Sequence, residues 1–133
     1  SALFKELGAP LNKHMWSWGS VRETDGAVFL RVWQDGTKKM IERGGRYYTW
    51  VTDVVDADQS LGANERRAHV EMIRGGRDSY MIMCQAVDDE AKVRDIAGFN
   101  EDELFLGGEL WEFDGAIWLE HTGRVQVRDI RQK

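Results

Sequence analysis

A chain of 133 residues, 42% hydrophobic and 31% charged with a single proline, has the size and composition of one globular domain and excludes disordered and fibrous classes. No apolar run approaches the ~18 residues that a membrane-spanning helix needs. The net charge of −5 is uneven: residues 1–50 hold eight Lys/Arg against five Asp/Glu, whereas residues 51–133 hold ten against eighteen. An acidic total argues against a nonspecific nucleic-acid coat protein but leaves room for a local basic groove.

The first eight residues lack the basic start and apolar stretch of a signal peptide, so cytoplasmic residence is the default expectation. Leu3, Phe4 and Leu7 share one face of a short helix within residues 1–9, stopped by Gly8 and Pro10. Trp16–Val21 and Ala27–Trp33 are strand-like around a Thr24-Asp25-Gly26 turn and predict a hairpin. Strand alternation puts His14, Trp16 and Trp18 on one face of the first arm. Lys38–Arg43 predicts a third strand, Gly44-Gly45 a break, and Arg46–Thr52 a fourth strand rich in aromatic and β-branched residues.

A helix is expected from about Gly62 to Arg74, capped by Ser60 or Asn64, with Gly75 as a left-handed residue after its end. Ser79–Val87 is apolar on both faces and predicts a central strand. Acidic residues 88–90 suggest the start of another helix, near 89–97. Leu104–Phe113 and Ala116–Glu120 flank Asp114-Gly115, the strongest hairpin signal in the chain, and Arg124–Ile130 suggests a last strand. Hairpins dominate and no βαβα alternation occurs. The expectation is a single α+β domain, residues 1–133, with a curved, mostly antiparallel sheet or small barrel and two or three helices. Paired glycines inside strand patterns, Gly44-Gly45 and Gly107-Gly108, mark bulges or barrel corners.

Motifs with chemistry are scarce. His14, His69 and His121 are scattered without ligand spacing, and Cys84 is alone in the most apolar strand, so no metal and no cofactor are expected. Cys84 reads as a buried, inert thiol, and His69 as the edge of a helix's buried face, bonded to Glu65. Aromatic residues carry the stronger signal. Four of six tryptophans fall in the first fifty residues, together with the positive excess. Trp16, Trp18, Trp33 and Trp50, with Arg31, Lys38, Lys39, Arg43 and Arg46, are therefore the candidate ligand-binding set. Stacking accepts any flat ring and basic residues hold phosphates, which are the parts needed for a base. Tryptophan also fills cores, and most of these rings fit that use too.

Trp16-Ser17-Trp18-Gly19, the stretch Asp25–Asp35, the helix with His69, Ile73 and Gly75, and Tyr80–Cys84 followed by Asp88 resemble small bacterial and phage domains associated with HNH nucleases of modification-dependent restriction. The resemblance spans residues 16–128, and because the chain has no HNH motif it implies a recognition module without the nuclease. The layout is also similar to the PUA-like class, whose small curved barrels include readers of modified bases and of RNA. Gly36–Arg43 approaches the Gly-x-Lys-x-x-Glu-x-Arg motif of ASCH domains within that class. Glu42 falls one residue late and Arg43 follows it directly, so no catalytic role carries over.

Three functions follow as expectations. The first is a nucleic-acid-binding module that recognises a modified or flipped base. The second is a protein–protein or homodimerisation module with exposed tryptophan anchors. The third is a small hydrolase or nuclease using His69 or His121. The residues favour a binding module over an enzyme.

Overall fold

The computed structural model describes residues 2–11, 17–55, 59–92 and 94–130. Eight strands form one sheet: β1 (Gly19–Val21), β2 (Val28–Trp33), β3 (Thr37–Met40), β4 (Arg46–Asp53), β5 (Ser79–Ala86), β6 (Ile96–Phe99), β7 (Glu103–Phe113) and β8 (Ala116–Gln126). Among the described residues three helices accompany them: α1 (Ala2–Glu6), α2 (Leu61–Arg74) and α3 (Val127–Ile130). The strand order is β1-β2-β5-β7-β8-β4-β3, with β6 added to β5. All pairs are antiparallel except β2 with β5, which the chain joins by way of β3, β4 and α2. The α+β class and curved sheet match the sequence reading. The sheet curls without closing.

Local chemistry explains the clearest elements. Asp114 and Gly115 adopt φ of 53° and 78°, the two left-handed residues that a tight β7–β8 turn requires. Ser60 caps α2 by accepting the Ala63 N–H at 3.2 Å. In β7 the register slips at Gly107 and again before Leu110, so the paired glycines do bend the sheet. They also admit close neighbours: a Cβ on Gly107 would collide with Ser79, and one on Gly108 with Glu120 and Thr122.

Four local expectations are corrected. Among the described residues near 89–97 no helix forms. The Asp88 carboxylate accepts the Glu90 N–H at 3.0 Å and makes a turn, and Ile96–Phe99 pairs with β5 as β6. Arg124–Ile130 is not a separate strand. β8 runs on to Gln126, and Val127–Ile130 is helical, anchored where the Ile130 carbonyl accepts from the Arg22 guanidinium at 2.7 Å. The third strand stops at Met40, because Ile41–Arg43 is a 3-10 turn ended by left-handed Gly44. Gly75 is right-handed, φ −75°, and Gly76 takes the positive φ instead. His14, Met15 and Trp16 lie outside the described residues, so the face expected to hold His14, Trp16 and Trp18 together does too.

Each face of the sheet buries one apolar layer. Val28, Leu30 and Val32 of β2 pack with Met81 and Met83 of β5, Val51, Leu119, and Val70 and Ile73 of α2. Phe29, Ile82 and Cys84 face the other way, beneath Leu3 and Phe4 of α1, Leu7, Leu104 and Val127. Residues 81–84 are buried on both sides, as a central strand demands. Arg22 staples the outer layer. It forms a two-pronged pair with Asp25 (3.0 and 2.7 Å) and lies over the Phe29 ring. Gly107→Ala is expected to destabilise the fold by about 1–3 kcal/mol in urea unfolding, the usual cost of overpacking. Gly36→Ala, whose Cβ would meet only Trp50 at 3.8 Å, should stay within about 0.5 kcal/mol of the parent.

Candidate functional site

Where β2 and β4 approach across the curl, a cavity of about 500 Å³ opens beside the first turns of α2. Trp18, Trp33 and Trp50 all line it. Trp18 and Trp33 touch, their centroids 5.1 Å apart at 53°. Trp50 is 37% exposed, and its indole N–H donates to Asp53 at 3.0 Å. Ser60, Gly62 and Ala63 form the wall at the start of α2, while Lys92 and Arg94 reach it from the β5–β6 connection. The size falls within the roughly 300–1,000 Å³ typical of small-ligand sites.

Arg66 holds the cavity together. Its guanidinium donates to three backbone carbonyls: Val51 of β4 at 3.0 Å, Arg31 of β2 at 2.5 Å and Trp18 at 3.4 Å. Burial pushes its pKa down to about 10, and no carboxylate pairs with it among the described residues. Its Nε is sealed from solvent without a partner. Glu65, one residue earlier, accepts the Ser17 hydroxyl at 2.9 Å and the Trp18 N–H at 3.1 Å. Adjacent α2 residues thus fix both the seam and the backbone that carries Trp18. The expected Glu65–His69 hydrogen bond is not made, because Glu65 is turned toward Ser17 and Trp18.

The structure brings Trp18, Trp33, Trp50 and Arg31 to one cavity and sends the other predicted cations elsewhere. Trp16 lies outside the described residues. Although Arg31 lines the cavity, its guanidinium rests over the Phe4 ring at 5.0 Å, and burial lowers its pKa. Lys38 and Lys39 are exposed on β3, the strand at one end of the sheet. Arg43 and Arg46 serve a second cluster. Arg43 pairs with Glu109 at 2.8 Å and covers the Trp111 ring, and Arg46 pairs with Glu120 at 2.6 Å. Beneath them the buried Tyr48 hydroxyl donates to Glu109 at 2.6 Å, and its pKa rises to about 12 through burial and that carboxylate. These charges are matched locally. Beside Arg31, the cavity's cations are Arg66, Arg67, Lys92 and Arg94, which the sequence reading missed. Arg94 grips Asp35 with both terminal nitrogens (2.7 and 2.8 Å) and lies over Trp33 at 5.2 Å. Arg67 hydrogen-bonds Asn64.

His69 and His121 stand apart from the cavity lining. His69 is buried under α2 against Gly19, with Nδ1 unpartnered. His121 bonds the Thr49 hydroxyl at 2.5 Å and packs on Phe105. Among the described residues no group of three His, Cys, Asp or Glu side chains is placed to hold a metal ion, and no helix is long and apolar enough to cross a membrane. Cys84 is buried and its thiol is pushed up to about 11, in keeping with an inert role.

Arg66→Ala should cost on the order of 3 kcal/mol in denaturant unfolding, since it strips the charged donor from three carbonyls. Burial holds both His69 and His121 below the ordinary histidine pKa. The unfolded chain therefore binds protons first, and stability should be full above about pH 6.5 and fall as pH drops below it. The double variant His69→Gln/His121→Gln should flatten that slope between about pH 6.5 and 5 in unfolding titrations. No family model matches the chain, and no curated protein or solved structure matches it, so the chemistry of the cavity is the ground for a functional reading.

Proposed function

We propose that the chain is a nucleic-acid-binding module that holds a flipped or modified base in the Trp18–Trp33–Trp50 cavity. The single observation behind this reading is the convergence of three tryptophans and five cations on one concave site of about 500 Å³. Indole faces hold a flat ring by stacking worth roughly 1–3 kcal/mol per base, and this offsets the few kcal/mol spent in extruding it. Lys92 and Arg67 also line the cavity and bring positive charge suited to strand phosphates. A PUA-like relationship, with a role beside a modification-dependent nuclease and a cytoplasmic setting, remains part of this proposal.

Titration of the protein with plain and base-modified duplexes, single strands and RNA tests the reading by tryptophan fluorescence and gel shift. At least one class is expected to bind at low salt, with Kd rising steeply as salt increases. Trp50→Ala or Trp33→Ala should weaken that binding about tenfold or more. Failure of every class at low salt overturns the proposal.

A second reading rests on a separate observation. Val54, Val55 and Leu61 are exposed at 41%, 73% and 61% on the segment leading from Trp50 into α2. Exposed apolar side chains of this kind suit a homodimer or another protein partner. Light scattering over a range of concentrations discriminates: dimer formation that is lost in Val55→Asp favours the interface, and a monomer throughout removes it.

A further inference from the structure

Resting on the base-binding reading, we infer that Asp53 selects the base held in the cavity, and that this base is guanine or a guanine modified elsewhere than at N1, N2 and O6. Asp53 is the last residue of β4, where its backbone is paired with Ala116 of β8. It is exposed, and it lines the cavity beside Trp50. Its carboxylate accepts the Trp50 indole N–H at 3.0 Å, so one of the cavity's rings orients the acceptor next to it. A group carried on a strand and held by a second side chain reads a ligand more closely than one on a loop. The bond to Trp50 engages Oδ1, and a carboxylate offers about four acceptor positions in all.

Carboxylate chemistry then discriminates among the bases. An ionised carboxylate only accepts, so it attracts adjacent N–H groups and repels a lone pair placed against it. Guanine alone of the common bases presents two donors side by side, N1–H and the N2 amino group. Adenine sets its N6 amino group beside the N1 lone pair, and cytosine its N4 amino group beside the N3 lone pair. Thymine and uracil set a single N3–H between two carbonyl oxygens. The neighbouring edge of guanine, O6 and N7, only accepts, and it suits the donor-only side chains of the same lining, Lys92 and Arg67. A carboxylate and cations in one cavity thus match both edges of one base.

The test is fluorescence titration of the full chain with short single strands and duplexes that differ only in one central base. Guanine, hypoxanthine, O6-methylguanine, adenine, cytosine and thymine form the series. Guanine should bind tighter than adenine, cytosine and thymine by about tenfold or more. Hypoxanthine lacks the N2 amino group and O6-methylguanine lacks the N1–H, so each should lose most of that advantage. Asp53→Asn keeps an oxygen for the Trp50 N–H and sets a donor beside it, an arrangement that suits adenine's paired donor and lone pair. In this variant the guanine preference should vanish, with adenine bound at least as tightly as by the parent. A guanine preference unchanged in Asp53→Asn overturns the inference, as does full guanine affinity for either analogue on the parent. If strands or duplexes bind without preferring guanine, the inference fails and the base-binding reading survives. If none of them binds at low salt, both fail.

Discussion

A curled sheet that does not close must join its two walls by something other than strand pairing, and here a guanidinium does it. Arg66 reaches from α2 to the carbonyls of Val51, Arg31 and Trp18, which belong to both sides of the gap. Arginine suits the task because its planar fork addresses several acceptors at once, which a lysine ammonium cannot do in fixed directions. Carbonyl dipoles replace only part of the water that the charge has lost, and the lowered pKa reports that deficit. One residue therefore bonds the seam and leaves positive potential beside the tryptophans.

The helix that bears Arg66 is positioned by ordinary packing. Val70 and Ile73 enter the inner layer with Val28, Leu30 and Met81, and His69 fills the space that Gly19 leaves. Its first turns stay at the surface of the curl, where Ser60, Gly62 and Ala63 become a wall of the cavity. The apolar half of α2 thus anchors to the core, and the polar half faces the cavity. Glu65 belongs to the second half, and its two bonds to Ser17 and Trp18 couple the backbone under one indole to the same helix.

Arginines in this chain act in two distinct ways. Arg22, Arg43, Arg46 and Arg94 meet carboxylates at short range, and each also lies over an aromatic ring. Planar cations placed this way stiffen rings and loops, and their charge is already answered. Among the described residues Arg66 meets only carbonyls, and Arg31 lies over Phe4 with the Ser17 carbonyl, at 3.5 Å, as acceptor. Among the described residues no carboxylate pairs with Arg66 or Arg31, so both bring unpaired charge to the cavity.

Local signals were legible from the residues alone. Asp114-Gly115 specified its turn through the conformations those two residues tolerate, and Ser60 marked the start of α2 through its cap. The run Ser79–Ala86 showed itself as central because both of its faces are apolar. That Trp18 and Trp33 meet was legible too, because a short hairpin turn brings β1 and the segment before it alongside β2. Acidic residues 88–90 misled. An Asp that opens a helix and an Asp that closes a turn look alike until a strand such as β5 takes residues 96–99 as its partner. Apart from Arg31, which cations stand beside the tryptophans was decided by tertiary structure. Arg43 and Arg46 are drawn to Glu109 and Glu120, distant in the chain, while Arg66 and Lys92 arrive from a helix and a loop. Charge along a chain records what is present, and only the register of strands distant in sequence determines which charges are neutralised and which remain to meet a ligand.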